Sequence, residues 1–170
     1  MMRKNLLPLC FALACSYADA AQSWARIAPD WLFQTTTDKM NDMPRGIART
    51  QEPEGGGLVL KCDAVGDRSV YAQFFFSQFI GAGSSPYRPI TYRADGRSPH
   101  TVSAIEDKSY ALIMPGAGMD QLVDDIKDAK TLVVRATTFE DETVEMELKI
   151  AGVRAAIQKV SQACGRHAPM

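Results

Sequence analysis

The chain has 170 residues, a formal net charge of −1, 46% hydrophobic residues and 23% charged residues. That balance belongs to a globular chain rather than a disordered one. It also excludes the basic stripe that an electrostatic nucleic-acid binder carries.

The first twenty residues have the order of a secretory signal peptide. Arg3 and Lys4 open it, a mostly apolar run covers 6–15, and Ala18-Asp19-Ala20 supplies small residues at a cut site. The run falls short of the roughly 20 apolar residues that span a bilayer as a helix. Cleavage after Ala20 is expected, so residues 1–20 are a leader and 21–170 one exported β-rich domain. A competing cut starts from Ala12-Leu13-Ala14-Cys15, which resembles a lipoprotein signal with Cys15 as the lipidated residue. No second long apolar run occurs, so no transmembrane segment is expected after processing.

Cleavage after Ala20 removes Cys10 and Cys15 and leaves Cys62 and Cys164. Two cysteines in an oxidising compartment are expected to pair. Closing a loop of about 100 residues corresponds to about 4.7 kcal/mol of lost unfolded-state entropy. The competing reading is two buried free thiols. A redox couple is disfavoured because no Cys-x-x-Cys occurs.

The elements follow in chain order. Residues 31–37, rich in aromatic, leucine and threonine side chains, predict a first strand. Residues 38–44 read as a turn and 46–50 as a short strand. Pro53 and Gly55-Gly56-Gly57 mark a flexible turn, and 58–62 a strand. The run 70–76 ends in Phe74-Phe75-Phe76 and suits a strand buried on both faces, with Phe79 joining the same apolar cluster. Residues 81–89 read as a loop. Residues 90–93 and 101–105 form an antiparallel pair across an Asp95-Gly96 turn, and 110–114 a further strand.

A helix is predicted over 120–129, with Asp120 as its cap and Leu122, Val123 and Ile126 on its apolar face. Residues 131–137 are β-branched. Residues 143–150 alternate apolar and charged types, the mark of a strand with one wet face. Val153, Ala156, Ile157 and Val160 recur at helical spacing, with Cys164 one turn later and Gly165 as a stop. The expected fold is mainly β with two helices (α+β). It is a single domain with a mostly antiparallel, β-sandwich-like sheet and a C-terminal amphipathic helix tied by the disulfide.

Few residues invite chemistry. His100 has Ser98 and Ser103 nearby in sequence, but a nucleophilic triad needs contact in space and no Gly-x-Ser-x-Gly elbow occurs. His167 sits in a polar tail. Asp120, Asp124 and Asp128 form an acidic stripe that reads as a solvated helix face rather than a cation cage. Two distant histidines and a paired cysteine set do not make a zinc site. The triple glycine precedes a strand and lacks the lysine of a phosphate loop. No catalytic residue, metal or cofactor is expected.

The order of landmarks carries a resemblance. Trp31, Asp38 and Asp42, and Leu60-Lys61-Cys62 come first. Tyr92-Arg93-x-Asp95-Gly96 and Leu132-Val133-Val134-Arg135 follow. Ile150-Ala151-Gly152-Val153, Ala156-Ile157 and Cys164 close the chain. This resembles the type VI secretion-associated periplasmic proteins called TagO or VasI, and more loosely the invasion-associated locus B proteins. The chain departs from the pattern after its final Cys-Gly, where Arg166 and His167 stand in place of an aromatic residue. The resemblance implies a bacterial periplasmic accessory domain with a disulfide and no enzyme chemistry. Tyr92, Arg93 and Asp95 are the matching polar residues that would offer a partner surface.

The expected function is therefore a non-enzymatic, protein-binding module, periplasmic or secreted. Its partner would belong to the envelope or secretion machinery. Two alternatives stand beside it. One is an inhibitor or immunity protein against a cell-wall-degrading enzyme, inserting the 81–89 loop. The other is an envelope-polymer hydrolase, which needs two carboxylates facing across a cleft.

Overall fold

The computed structural model describes residues 23–51, 56–62, 69–81 and 87–165. The expected leader with Cys10 and Cys15, part of the expected 81–89 loop and His167 lie outside them. Among the described residues ten strands form one antiparallel sheet: β1 (Ala25–Ala28), β2 (Trp31–Thr37), β3 (Pro44–Thr50), β4 (Gly56–Cys62), β5 (Val70–Phe76), β6 (Tyr87–Ala94), β7 (His100–Asp107), β8 (Tyr110–Ile113), β9 (Thr131–Thr137) and β10 (Thr143–Lys149). Helices α1 (Ala117–Ile126) and α2 (Val153–Ala163) interrupt and close the series. The order across the sheet is β1-β2-β3-β4-β5-β8-β7-β6-β9-β10.

The sandwich is one continuous sheet curled over itself. A Cβ placed on Gly56 of β4 would lie 2.7 Å from Met146 Sδ of β10, so these strands meet face to face. The two ends of the sheet are also tied. Trp31 Nε1 donates to the Ile150 carbonyl at 3.2 Å, and Ala151 N donates to Asp30 Oδ2 at 2.8 Å. Both bonds bring the end of β10 onto the β1–β2 turn.

The alternation of each strand sorts residues onto two faces. The inner face carries Trp31, Leu58, Leu60, Phe74, Ile90, Leu132 and Leu148, all fully buried. Both helices pack on this side. In α1, Met119, Leu122, Val123 and Ile126 are buried, and α2 buries Val153, Ala156, Ile157 and Val160. Close seating of α2 depends on Gly46 in β3, where an added Cβ would meet Ala163 Cβ at 2.8 Å. Cys62 of β4 and Cys164 after α2 form the disulfide, 102 residues apart, as the cysteine count predicted.

Several expectations change. The flexible turn at Gly56 and Gly57 is the start of β4, paired with Phe76 and Phe75. The phenylalanine run is not buried on both faces: Phe74 and Phe76 point into the core, whereas Phe75 lies half-buried on the outer face. Phe79 leaves the core. It is 53% exposed and packs edge-on against Phe139, with ring centroids 5.6 Å apart. Asp120 does not cap α1, because Gly116 holds that place and Asp120 sits in the first turn. The Asp95-Gly96 turn forms as expected, with both residues at positive φ and Arg97 N donating to Ala94 O at 2.9 Å.

Glu106 on the inner face of β7 is 2% exposed, and Arg88 Nε lies 3.5 Å from its carboxylate. Burial pushes the Glu106 carboxyl up, and the Arg88 charge offsets only part of that. Stability from a carboxyl raised this way is complete below its unfolded pKa and is lost as pH rises through the folded value. Glu106→Gln is therefore expected to gain stability relative to the parent as pH rises from about 4 to about 8, read by urea unfolding across that series. Replacing both cysteines, Cys62→Ser with Cys164→Ser, is expected to cost about 2–5 kcal/mol in the same assay under oxidising conditions.

Candidate functional site

Two surface features gather polar or apolar groups that the core does not use. The first is where the β6–β7 hairpin meets α1. Asp125 on α1 is its hub. Tyr92 OH donates to Asp125 Oδ2 at 2.7 Å, Gln121 Nε2 donates to the same oxygen at 3.1 Å, and His100 Nδ1 lies 2.8 Å from it. Arg97 donates to the Asp125 carbonyl at 3.2 Å. Burial pushes the Asp125 carboxyl up, but the bonds from Tyr92 and Gln121 and the His100 contact outweigh it, so the carboxyl lies below its ordinary range. Burial, the Asp125 bond and the Asp125 charge hold the Tyr92 phenol well above its ordinary value. The hub is therefore an ionised carboxylate held by the Tyr92 and Gln121 donors.

This arrangement redistributes the residues expected to form a partner surface. Tyr92 is 2% exposed, with its hydroxyl on Asp125. Arg93 points outward. Asp95 accepts from the backbone N–H groups of Lys130 and Thr131 at 2.9 and 2.8 Å, and these bonds hold its carboxyl below the ordinary range. Tyr92 and Asp95 thus fasten the hairpin to its neighbours while Arg93 faces away, and the three do not share one exposed patch.

His100, Ser98 and Asp125 do line one cleft of about 250 Å³. His100 and Asp125 touch, but no hydrogen bond joins Ser98 to His100, the contact a nucleophile and its base require. Ser103 lies on the opposite face of β7 from His100, as odd and even positions of a strand must. In the acidic stripe, Asp124 pairs with Lys127 at 2.9 Å and Asp128 with Arg154 at 2.7 Å, while Asp120 is exposed. Among the described residues no cluster of histidine, cysteine or carboxylate side chains is arranged to hold a metal.

The second feature is a groove of about 510 Å³ on the outer face of β3, β4 and β5. Ile47, Val59 and Phe75 project into it from the three strands, all half-buried. Gly57 lies directly opposite Phe75 and has no side chain, so the face is recessed there. Trp24 stands at the rim, and the Arg49 guanidinium carbon lies 4.4 Å from its ring centroid. Lys61 closes the other end and donates to Gln73. The apolar character continues across the sheet through Leu112 and Ile105, which face outward on β8 and β7.

This groove was not foreseen from the sequence. Its signal was the apolar residues at outward positions, Ile47, Val59 and Phe75, where a strand with one wet face should carry polar types.

No protein-family model, curated protein or solved structure matches this chain. The groove and the Asp125 hub must therefore be read from their own geometry.

A depressed carboxyl contributes stability that is present above its unfolded pKa and lost as pH falls through the folded value. Asp125→Asn is expected to cost about 1–3 kcal/mol at neutral pH by removing charge-assisted bonds. The difference from the parent should shrink as pH drops below the ordinary aspartate range, which thermal unfolding across a pH series would show.

Proposed function

We propose that this chain is a non-enzymatic, protein-binding accessory module of the bacterial periplasm. The observation that carries the reading is the recessed apolar groove on the solvent side of β3–β5, with cations at its rim. A recessed apolar cleft of this kind marks a contact site, since water is displaced when a partner's side chain enters. The cations give the site a sign and favour a protein partner that carries carboxylates.

Other features support the cellular setting. A disulfide between Cys62 and Cys164 suits an oxidising compartment. The leader-like opening with Arg3, Lys4 and Ala18-Asp19-Ala20 suits export. The order of landmarks resembling the TagO or VasI proteins favours a role beside type VI secretion. The missing Ser98–His100 bond favours binding over acyl-transfer chemistry.

A photo-crosslinking side chain placed at Val59 should join one specific envelope protein, and the same group at Glu147, on an exposed strand position of β10, should not. That partner, once purified, should bind the unmodified chain and lose at least about tenfold in affinity to Phe75→Ala, a truncation worth more than about 1.4 kcal/mol. Equal adducts at Val59 and Glu147, or unchanged affinity in Phe75→Ala, would remove the groove as the binding surface.

A further inference from the structure

We infer that the groove takes an extended acidic protein segment with the pattern aromatic-x-acid-x-acid. This rests on the groove being the binding surface and adds what occupies it.

The charge of the groove comes first. Among the described residues Arg49 and Lys61 line it, and no aspartate or glutamate does. Arg45, Arg88, Arg135 and Arg154 each meet a carboxylate of this chain. Arg49 meets none among the described residues and stacks on Trp24 instead. Stacking covers one face of the guanidinium and holds the group in place. Its N–H edge stays available, the edge that binds a carboxylate through two parallel bonds.

The sheet register then sets the spacing. Outward positions along β4 are Gly57, Val59 and Lys61. Arg49 stands opposite Val59, and Ile47 opposite Lys61. Moving along β4, the outer face therefore presents a recess beside Phe75, then Arg49, then Lys61. Side chains on one face of an extended segment recur every second residue, at about 6.6–6.8 Å. Diagonal neighbours on adjacent strands lie about 7–8 Å apart. An aromatic residue at i over Gly57 thus puts a carboxylate at i+2 beside Arg49 and another at i+4 beside Lys61. Nucleic acid does not fit this pattern, because two cations in a chain of net charge −1 make too small a basic footprint.

Fluorescence anisotropy with three labelled peptides tests this on the full chain with its disulfide intact. The matched probe is Phe-Thr-Asp-Thr-Asp-Thr. An isomer, Phe-Asp-Thr-Asp-Thr-Thr, has the same composition and charge but turns both acids to the other side. The third probe carries asparagine for both aspartates. The matched peptide should bind at least about tenfold tighter than either control, the size expected from one charge-assisted contact. Arg49→Glu should abolish that preference and favour a peptide with lysine at i+2.

Equal binding of matched and shifted peptides, or binding of none, overturns the acidic-segment assignment. The crosslink at Val59 would then still decide the groove's role by itself. Arg49-dependent binding to phosphatidylglycerol vesicles with no peptide preference also overturns it, assigning the groove to a lipid headgroup.

Discussion

The seating of α2 on the inner face, locked by the Cys62–Cys164 bridge, is the constraint on which the rest depends. A ten-stranded antiparallel sheet has no intrinsic reason to stop curling at one shape. Here the helix fills the inner side of β2–β4, and the covalent tie fixes its distance from β4. Gly46 permits the approach, since a side chain there would meet Ala163 and the Val160 backbone. The apolar stripe of α2 and the small residue beneath it act as one unit, and the bridge narrows the unfolded ensemble that competes with it.

With both helices on the inner side, the two faces of the sheet acquire different chemistry. The inner face is saturated by Leu58, Leu60, Phe74 and the helix stripes. The hairpin end is closed by the Asp125 hub, which accounts for Tyr92, His100 and Gln121. Asp95 is consumed by the backbone of Lys130 and Thr131. What the fold leaves uncommitted is the outer face, and there apolar side chains of β3, β4 and β5 gather around the recess at Gly57. Isolated exposed apolar residues are ordinary, whereas a recessed group around a glycine is a shaped surface.

Much of the fold was legible because its strands follow period two. The limits of β2, β5 and β9 coincide with their apolar and β-branched runs, and the Asp95-Gly96 turn announced its hairpin. The helix stripe ending at Cys164 was equally plain. Strand β1 escaped because Ala25–Ala28 has neither length nor alternation. Its pairing with β2 decides its state. The start of β4 escaped because glycine has no strand preference, and only pairing with Phe75 and Phe76 holds it extended. The sites were far less legible. His100 and Asp125 are 25 positions apart and meet because α1 crosses the hairpin, a tertiary fact that no local pattern carries. Arg49 and Trp24 likewise meet only through the β1–β2–β3 register.

The core and the groove share strand β4, and this links stability to recognition. Along that strand Leu58, Leu60 and Cys62 face inward while Gly57, Val59 and Lys61 face outward. The bridge at Cys62 thus fixes the backbone that presents Lys61, its neighbour in the chain. Leu60, fully buried in the core, does the same for Val59. A groove built on a paired central strand loses little freedom when it is filled, so more of the contact energy appears as affinity. The arrangement also explains why Arg49 sits on β3 rather than on a loop. On a paired strand, stacked against Trp24, its guanidinium is oriented before a partner arrives, and an exposed loop arginine would have to be ordered during binding.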